Sequence, residues 1–353
     1  MKKSISHKIT VLTFSFTLMM VAYHARTSFI SQNKLLLRIT EHISSVYEYL
    51  GCISMAFFFT MTGYLFYRNI TKAGLKGKIQ RRIKSLLIPL TAWNVIYLVG
   101  FMVFDRESVR WGVLDVIYHF TFAPYDGPLW YLFAIFMLTL FAPLVLFTRK
   151  YNTVKVVLLI AVFIIPVAMF SFDILKLFGL SEEPHFVMWL NRLFRYLPCY
   201  TVGSIAGMHR HDDVSTDNIN VRYRIGVLAL IVLTGFIWVM NPDIQNFYRQ
   251  LIIVITPIFV WIVLKEEKFE KYNNQVVRNS FLIYATHFMV IFVYREISKK
   301  LVPATGDVIA LLVWIAEPIL CVILTYFCCT LFDRFIKKTK LGKIESVLTG
   351  SRT

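Results

Sequence analysis

The sequence predicts an all-α fold: a polytopic membrane helix bundle of about ten transmembrane helices, with both termini cytoplasmic. Three observations predict it. The 353 residues are 57% hydrophobic and 17% charged, with a mean hydropathy of +0.61. A water-soluble chain of this length has no use for so much apolar surface. The apolar residues gather in runs of roughly 18 to 22 residues, the length an α-helix needs to cross a bilayer. Lys and Arg fall in short clusters between those runs, as in loops that face the cytoplasm.

The runs lie near 9–24, 49–67, 84–104, 129–148, 154–172, 194–209, 225–241, 248–264, 280–294 and 308–332. Polar or small residues dilute the fifth, sixth and ninth. The first follows Lys2, Lys3 and Lys8, extends from Ile9 to Tyr23 and ends on His24. A cleaved signal peptide would need small residues at its end. Tyr23, His24 and Arg26 stand there instead, so the run reads as a retained helix.

Charge sets the orientation. Between the second and third runs lie Arg68, Lys72, Lys76, Lys78, Arg81, Arg82 and Lys84, without an acid. That loop belongs inside. Alternate loops agree: Arg149, Lys150 and Lys155; Arg210, Arg222 and Arg224; Lys265, Lys268 and Lys271; and the tail from Arg334 to Lys343. The intervening loops hold acids: Asp105, Glu107, Asp115 and Asp126 in one, Asp173, Glu182 and Glu183 in another. His24 then falls at the outer end of the first helix. The net charge of +17 is explained by this topology, and no nucleic-acid partner is expected. The whole chain, 1–353, reads as one integral membrane domain ending in a basic cytoplasmic tail.

The five cysteines lie in apolar runs and read as packing residues. No G-x-S-x-G elbow, H-E-x-x-H pair, phosphate-binding loop or dinucleotide fingerprint is present, so no metal is expected. No internal repeat is visible, which weakens an inverted-repeat transporter reading.

Several segments together resemble the acyltransferase 3 family of integral membrane proteins. They are Met55-Ala-Phe-Phe-Phe-Thr-Met-Thr-Gly-Tyr64, Arg81-Arg-Ile-Lys-Ser-Leu-Leu-Ile-Pro89, Gly127-Pro-Leu-Trp-Tyr131, Arg195-Tyr-Leu-Pro-Cys-Tyr-Thr-Val-Gly203 and Ser280-Phe-Leu-Ile-Tyr-Ala-Thr-His287. Their order matches, and they extend over nearly the whole chain. The resemblance implies an enzyme of the bacterial cytoplasmic (inner) membrane. It would take an acyl group, usually acetyl, from acetyl-CoA and pass it to a hydroxyl of a cell-surface or lipid-linked sugar. The family's first helix carries an arginine about eleven residues before a histidine, ~16 Å along one helix face. His24 fits the histidine, but Thr13 occupies the arginine position; the nearest basic residues are His7 and Lys8. Another cation substitutes, the mechanism differs, or the chain is a repurposed relative.

Each candidate residue has a chemical and a plain reading. His24 is a general base or transient acyl carrier, or a histidine wetted by headgroups. Arg81, Arg82 and Lys84 bind coenzyme A phosphates, or anchor the chain beside anionic membrane lipids. Arg192 and Arg195, at the entry to the sixth run, contact the acceptor or an oxyanion, or snorkel. His287 handles a second proton or orients His24, or is bonded across helices. Glu317, ahead of Pro318, pairs with His24 or with an arginine and raises the basicity of the histidine, or only bridges two helices as an ion pair. Trp130, Tyr131 and Phe57 to Phe59 wall a pocket, or pack. The rival to an acyltransferase is a carrier that exports a glycan or small solute.

Overall fold

The computed structural model describes residues 3–26, 33–104, 106, 112–148, 152–171, 185–209, 216–241, 246–266, 268–269, 280–301, 307–339 and 342–350. Among these residues there is no strand. Asp105, Glu107, Arg149, Lys150, Asp173, Glu182, Glu183, Arg210 and Lys271, which served the charge argument, lie outside them.

The helices are α1 (Lys3–Ala25), α2 (Lys34–Tyr67), α3 (Lys72–Phe104), α4 (Val113–Phe120), α5 (Trp130–Leu140), α6 (Ala142–Thr148), α7 (Asn152–Ser171), α8 (His185–His209), α9 (Val221–Met240), α10 (Asn246–Val263), α11 (Ser280–Leu301), α12 (Asp307–Thr339) and α13 (Gly342–Thr349). Six of the described helices are long and apolar enough to cross a membrane, those beginning at Lys3, Lys34, Leu75, Val221, Ser280 and Asp307. Two shorter apolar helices, Gly127–Leu140 and Phe247–Val263, accompany them. The chain is a multi-pass integral membrane protein.

Local chemistry explains where helices begin. Asn33 accepts from Leu35 N at 3.0 Å, Asn220 from Arg222 N at 2.9 Å, and Thr71 from Gly74 N at 3.0 Å. Each satisfies an N–H that the helix itself leaves without a partner. Interior prolines at 89, 166, 198, 257 and 318 are carried within helices, as neighbouring helices in a membrane bundle permit. Outward faces are apolar: Val232, Leu233 and Phe236 on α9 are at least half exposed, which suits a hydrocarbon solvent.

The structure departs from the sequence reading in several places: α2 begins at Lys34 rather than near 49, and α3 at Lys72 rather than near 84, so Lys72 to Lys84 of the expected basic loop are helical. The run expected at 129–148 is two helices, divided at Phe141. The sixth helix begins at His185 rather than near 194, so Arg192 and Arg195 sit inside it and not at its entry. Its early turns, Phe186-Val-Met-Trp-Leu190, are apolar enough to extend it back. Cys328 is exposed, while Cys52, Cys199, Cys321 and Cys329 are buried.

The chain divides into two compact units. The first comprises Met1–Phe58, Asp213–Ile244 and Ile255–Lys340. In it α1 packs against α11 and α12, which also pack against each other. Leu12, Phe16, Met20 and Val21 form the buried stripe of α1, and Phe16 stacks on Phe57 with ring centroids 4.5 Å apart. At the start of α1 a buried polar clamp replaces apolar packing. Lys8, 0% exposed, donates to Thr216 Oγ1 at 3.0 Å and to the Trp261 carbonyl at 2.8 Å. Its ammonium lies 4.0 Å from the centroid of the Trp261 ring and 4.0 Å from Glu266 Oε1. Glu266 Oε1 also accepts from Thr216 N at 2.8 Å. Arg224 donates to the carbonyls of Ile262 (2.6 Å), Val263 (3.1 Å) and Thr216.

The second unit comprises Phe59–Asp212, Gln245–Val254 and Leu341–Thr353. Here α3 packs against α5 and α13, and α7 against α8. Glycines bring α8 hard against α2. A Cβ on Gly203 would strike the Thr60 carbonyl, and one on Gly207 would lie 2.5 Å from the Tyr64 carbonyl. The spacing Gly203-x-x-x-Gly207 is the small-residue pattern that lets membrane helices approach backbone to backbone.

Candidate active site

His24 closes α1, half-buried, and is met by α11. Its ring centroid lies 5.4 Å from that of His287, 5.2 Å from Phe288 and 4.8 Å from Tyr23. His287 is 0% exposed. Its Nδ1 lies 2.6 Å from the Tyr284 carbonyl, which can only accept, so Nδ1 carries the proton. That leaves the lone pair of the neutral ring on Nε2. Nε2 is buried and has no hydrogen-bond partner among the described residues. A buried acceptor without a partner is costly, and the neighbouring imidazole is that of His24.

The backbone at His24 is held from α11 as well. Arg295 donates through one amino group to the carbonyls of His24 (3.0 Å), Ala25 (3.4 Å) and Arg26 (3.1 Å). These are C-terminal carbonyls without partners within the helix, and a cation there also complements the helix dipole. The Nε of Arg295 donates to Glu317 Oε1 on α12 at 3.0 Å. Glu317 is thus paired with an arginine, one of the two partners the sequence left open, and the arginine is Arg295. The sequence reading did not name it, because the ninth apolar run was drawn to end at residue 294. An ionisable residue directly after an apolar run, with an acid buried in the next, was the available signal.

Lys8 does not stand in for the absent arginine of α1. It is consumed by the Thr216, Trp261 and Glu266 clamp, and sixteen residues place it ~24 Å along the helix from His24. Arg295 reaches the His24 backbone carbonyl instead, and Arg26 lies over the neighbouring Tyr23 ring.

The second unit gathers Arg81, Arg82 and Lys84 around one cavity of about 590 Å³, with Lys78, Phe66 and Ser346 also in its wall. Lys78 donates to the carbonyls of Phe66 (2.8 Å) and Arg68 (2.6 Å). The Arg82 guanidinium lies 5.6 Å from the Phe66 ring centroid. No carboxylate lines this cavity among the described residues. It lies within the range of volumes that small-molecule sites occupy, and its charge suits an anion.

Trp130 and Arg192 meet in this unit, the guanidinium 5.7 Å from the ring centroid. Trp130 is buried and belongs to an aromatic cluster. Phe59 lies 6.0 Å from it, 5.3 Å from Tyr196 and 5.0 Å from Tyr131. The Arg195 carbonyl accepts from Gln250 at 2.6 Å. Beside α3, the Asn94 side chain accepts from Tyr125 N at 3.0 Å. The next residue, Asp126, is 0% exposed, and neither carboxylate oxygen has a hydrogen-bond partner among the described residues. Burial pushes its carboxyl well above the usual carboxylate range.

Among the described residues no three His, Cys, Asp or Glu side chains converge as metal ligands do. A family model described as an acyltransferase domain matches residues 10–334, nearly the whole chain. No curated protein matches, and no solved structure matches.

Proposed function

This chain belongs to the acyltransferase 3 family, and we propose that it transfers an acetyl group from acetyl-CoA to a hydroxyl of a cell-surface polysaccharide, lipopolysaccharide or lipid-linked sugar. The observation that carries the reading is the arrangement at the end of α1, where the His24 ring lies 5.4 Å, centroid to centroid, from that of the buried His287. His24 acts as general base. It takes the proton of the acceptor hydroxyl, whose oxygen bonds to the thioester carbonyl carbon. The carbon–sulfur bond breaks, and His24 returns the proton to the departing thiolate. His287 orients His24: its Nε2 accepts from one ring nitrogen and leaves the other unprotonated. Arg295, fixed by Glu317, holds the helix end so that the ring does not drift.

The donor's phosphates bind at Arg81, Arg82 and Lys84, from the cytoplasmic side of an inner membrane. Forked guanidinium donors and a point charge suit a diphosphate. On the acceptor side the reading places Arg192, with Arg195 one turn further along, beside the buried Trp130.

The test uses purified protein in lipid vesicles with labelled acetyl-CoA and a candidate glycan. Label on the glycan with the wild type, and none with His24→Ala at equal protein, is the expected result. Label carried across the vesicle wall without transfer, equally in both, would overturn it in favour of a carrier, the reading that Thr13 in place of the arginine leaves open.

A further inference from the structure

We propose that α13 and Gly350 form the closing wall of the basic cavity and set, by charge and fit, which phosphate-bearing ligand it admits. The proposal rests on the donor reading of that cavity. Arg81, Arg82 and Lys84 supply the cations, and Ser346, Val347 and Gly350 complete the lining from the C-terminal segment.

That segment is docked by specific contacts. Trp93 Nε1 donates to the Leu348 carbonyl at 3.0 Å, and Leu348 and Thr349 are buried. Gly350 has φ +65°, and a Cβ there would lie 2.5 Å from the Ser85 carbonyl and 2.9 Å from Pro89 Cγ. Only glycine fits both the backbone and the space. A basic tail anchored merely by charge would need neither contact.

The segment also lies beyond residue 334, where the family match ends. The matched domain supplies the cations, and this chain's own C-terminus supplies the facing wall. Ser346 is the hydroxyl on that wall. A hydroxyl donates to a phosphate oxygen, whereas a carboxylate at the same position would repel it and neutralise a neighbouring cation.

The experiment is calorimetry on the full-length protein in phosphatidylcholine nanodiscs, with coenzyme A and inorganic pyrophosphate as probes. Ser346→Asp is expected to weaken both by about tenfold or more, and Ser346→Lys to keep or tighten them. Gly350→Ala, which lifts the wall without changing charge, is expected to weaken both, with the melting temperature of each variant recorded. Unchanged affinities in Ser346→Asp and Gly350→Ala would overturn the proposal. So would equal losses in Ser346→Asp and Ser346→Lys, which mark a purely structural wall. If pyrophosphate binding follows the Ser346 charge but coenzyme A binds no tighter than pyrophosphate, the wall stands and the donor reading falls. Loss of both probes in phosphatidylglycerol nanodiscs would likewise overturn the donor reading and give the occupant as a lipid headgroup.

Discussion

Arg295 ties Glu317 to the helix end that carries His24. One face of its guanidinium bonds the Glu317 carboxylate at 3.0 Å, and an amino group bonds the His24 carbonyl at 3.0 Å. Three helices of the first unit thus converge on the peptide bonds that set where the His24 ring stands.

Breaking that tie is expected to slow acyl transfer more than it weakens donor binding. Glu317→Gln should lower kcat about ten- to a hundredfold, with KM for acetyl-CoA little changed. Arg295→Lys keeps the charge but loses the fork, and should fall in the same range. Steady-state kinetics on purified protein checks this. A selective rise in KM would place both residues with the donor instead.

His287 is expected to act through His24. His287→Phe fills the space but offers no acceptor, so kcat should drop at least about tenfold, and the pH–rate profile should change shape. A packing role predicts that phenylalanine restores full rate with an unaltered profile. Rates of wild type and variant across the neutral pH range decide between them.

The clamp at the start of α1 makes a stability prediction. Lys8→Met strands Glu266, 1% exposed, without its cation, at a cost of about 3–5 kcal/mol. Adding Glu266→Gln removes the stranded charge and should recover most of the loss. Melting curves of the wild type, both single variants and the double variant measure this, and additive losses would mean the two groups are not coupled.

Asp126 gives a pH-dependent prediction. Its carboxyl is held above its unfolded value of about 3.9, so the folded protein keeps this proton where the unfolded chain has lost it. Stability from this group is therefore present below about pH 4 and falls as pH rises towards the folded value. Asp126→Asn should stabilise by about 1–3 kcal/mol at neutral pH, with the gain vanishing in acid. Melting temperatures at several pH values test it; a destabilised variant at neutral pH would mean that a cation or donor meets the carboxylate.

Much of the fold was legible because membrane helices advertise themselves. Each of the ten apolar runs overlaps a helix, and six of the described helices are long and apolar enough to cross a membrane. Boundaries were less legible. Phe141 divides a run whose hydropathy does not change, and α8 begins nine residues early because Trp189 and its apolar neighbours continue the pattern. His24, His287 and Glu317 stood out as ionisable groups in apolar surroundings, and Arg81, Arg82 and Lys84 as an acid-free cluster. Arg295, Ser346 and the Lys8–Glu266 pair did not. Their significance lies in partners 22 to 271 residues away, and separations of that size leave no periodicity to read.

The measurement that tests the central claim most directly is mass spectrometry of surface glycans from cells with the wild type, with His24→Ala at matched abundance, or with no copy. The account predicts the mass of one added acetyl group on a glycan from wild-type cells, and its absence from the other two. The same acetylated glycan from His24→Ala cells at wild-type level would contradict it.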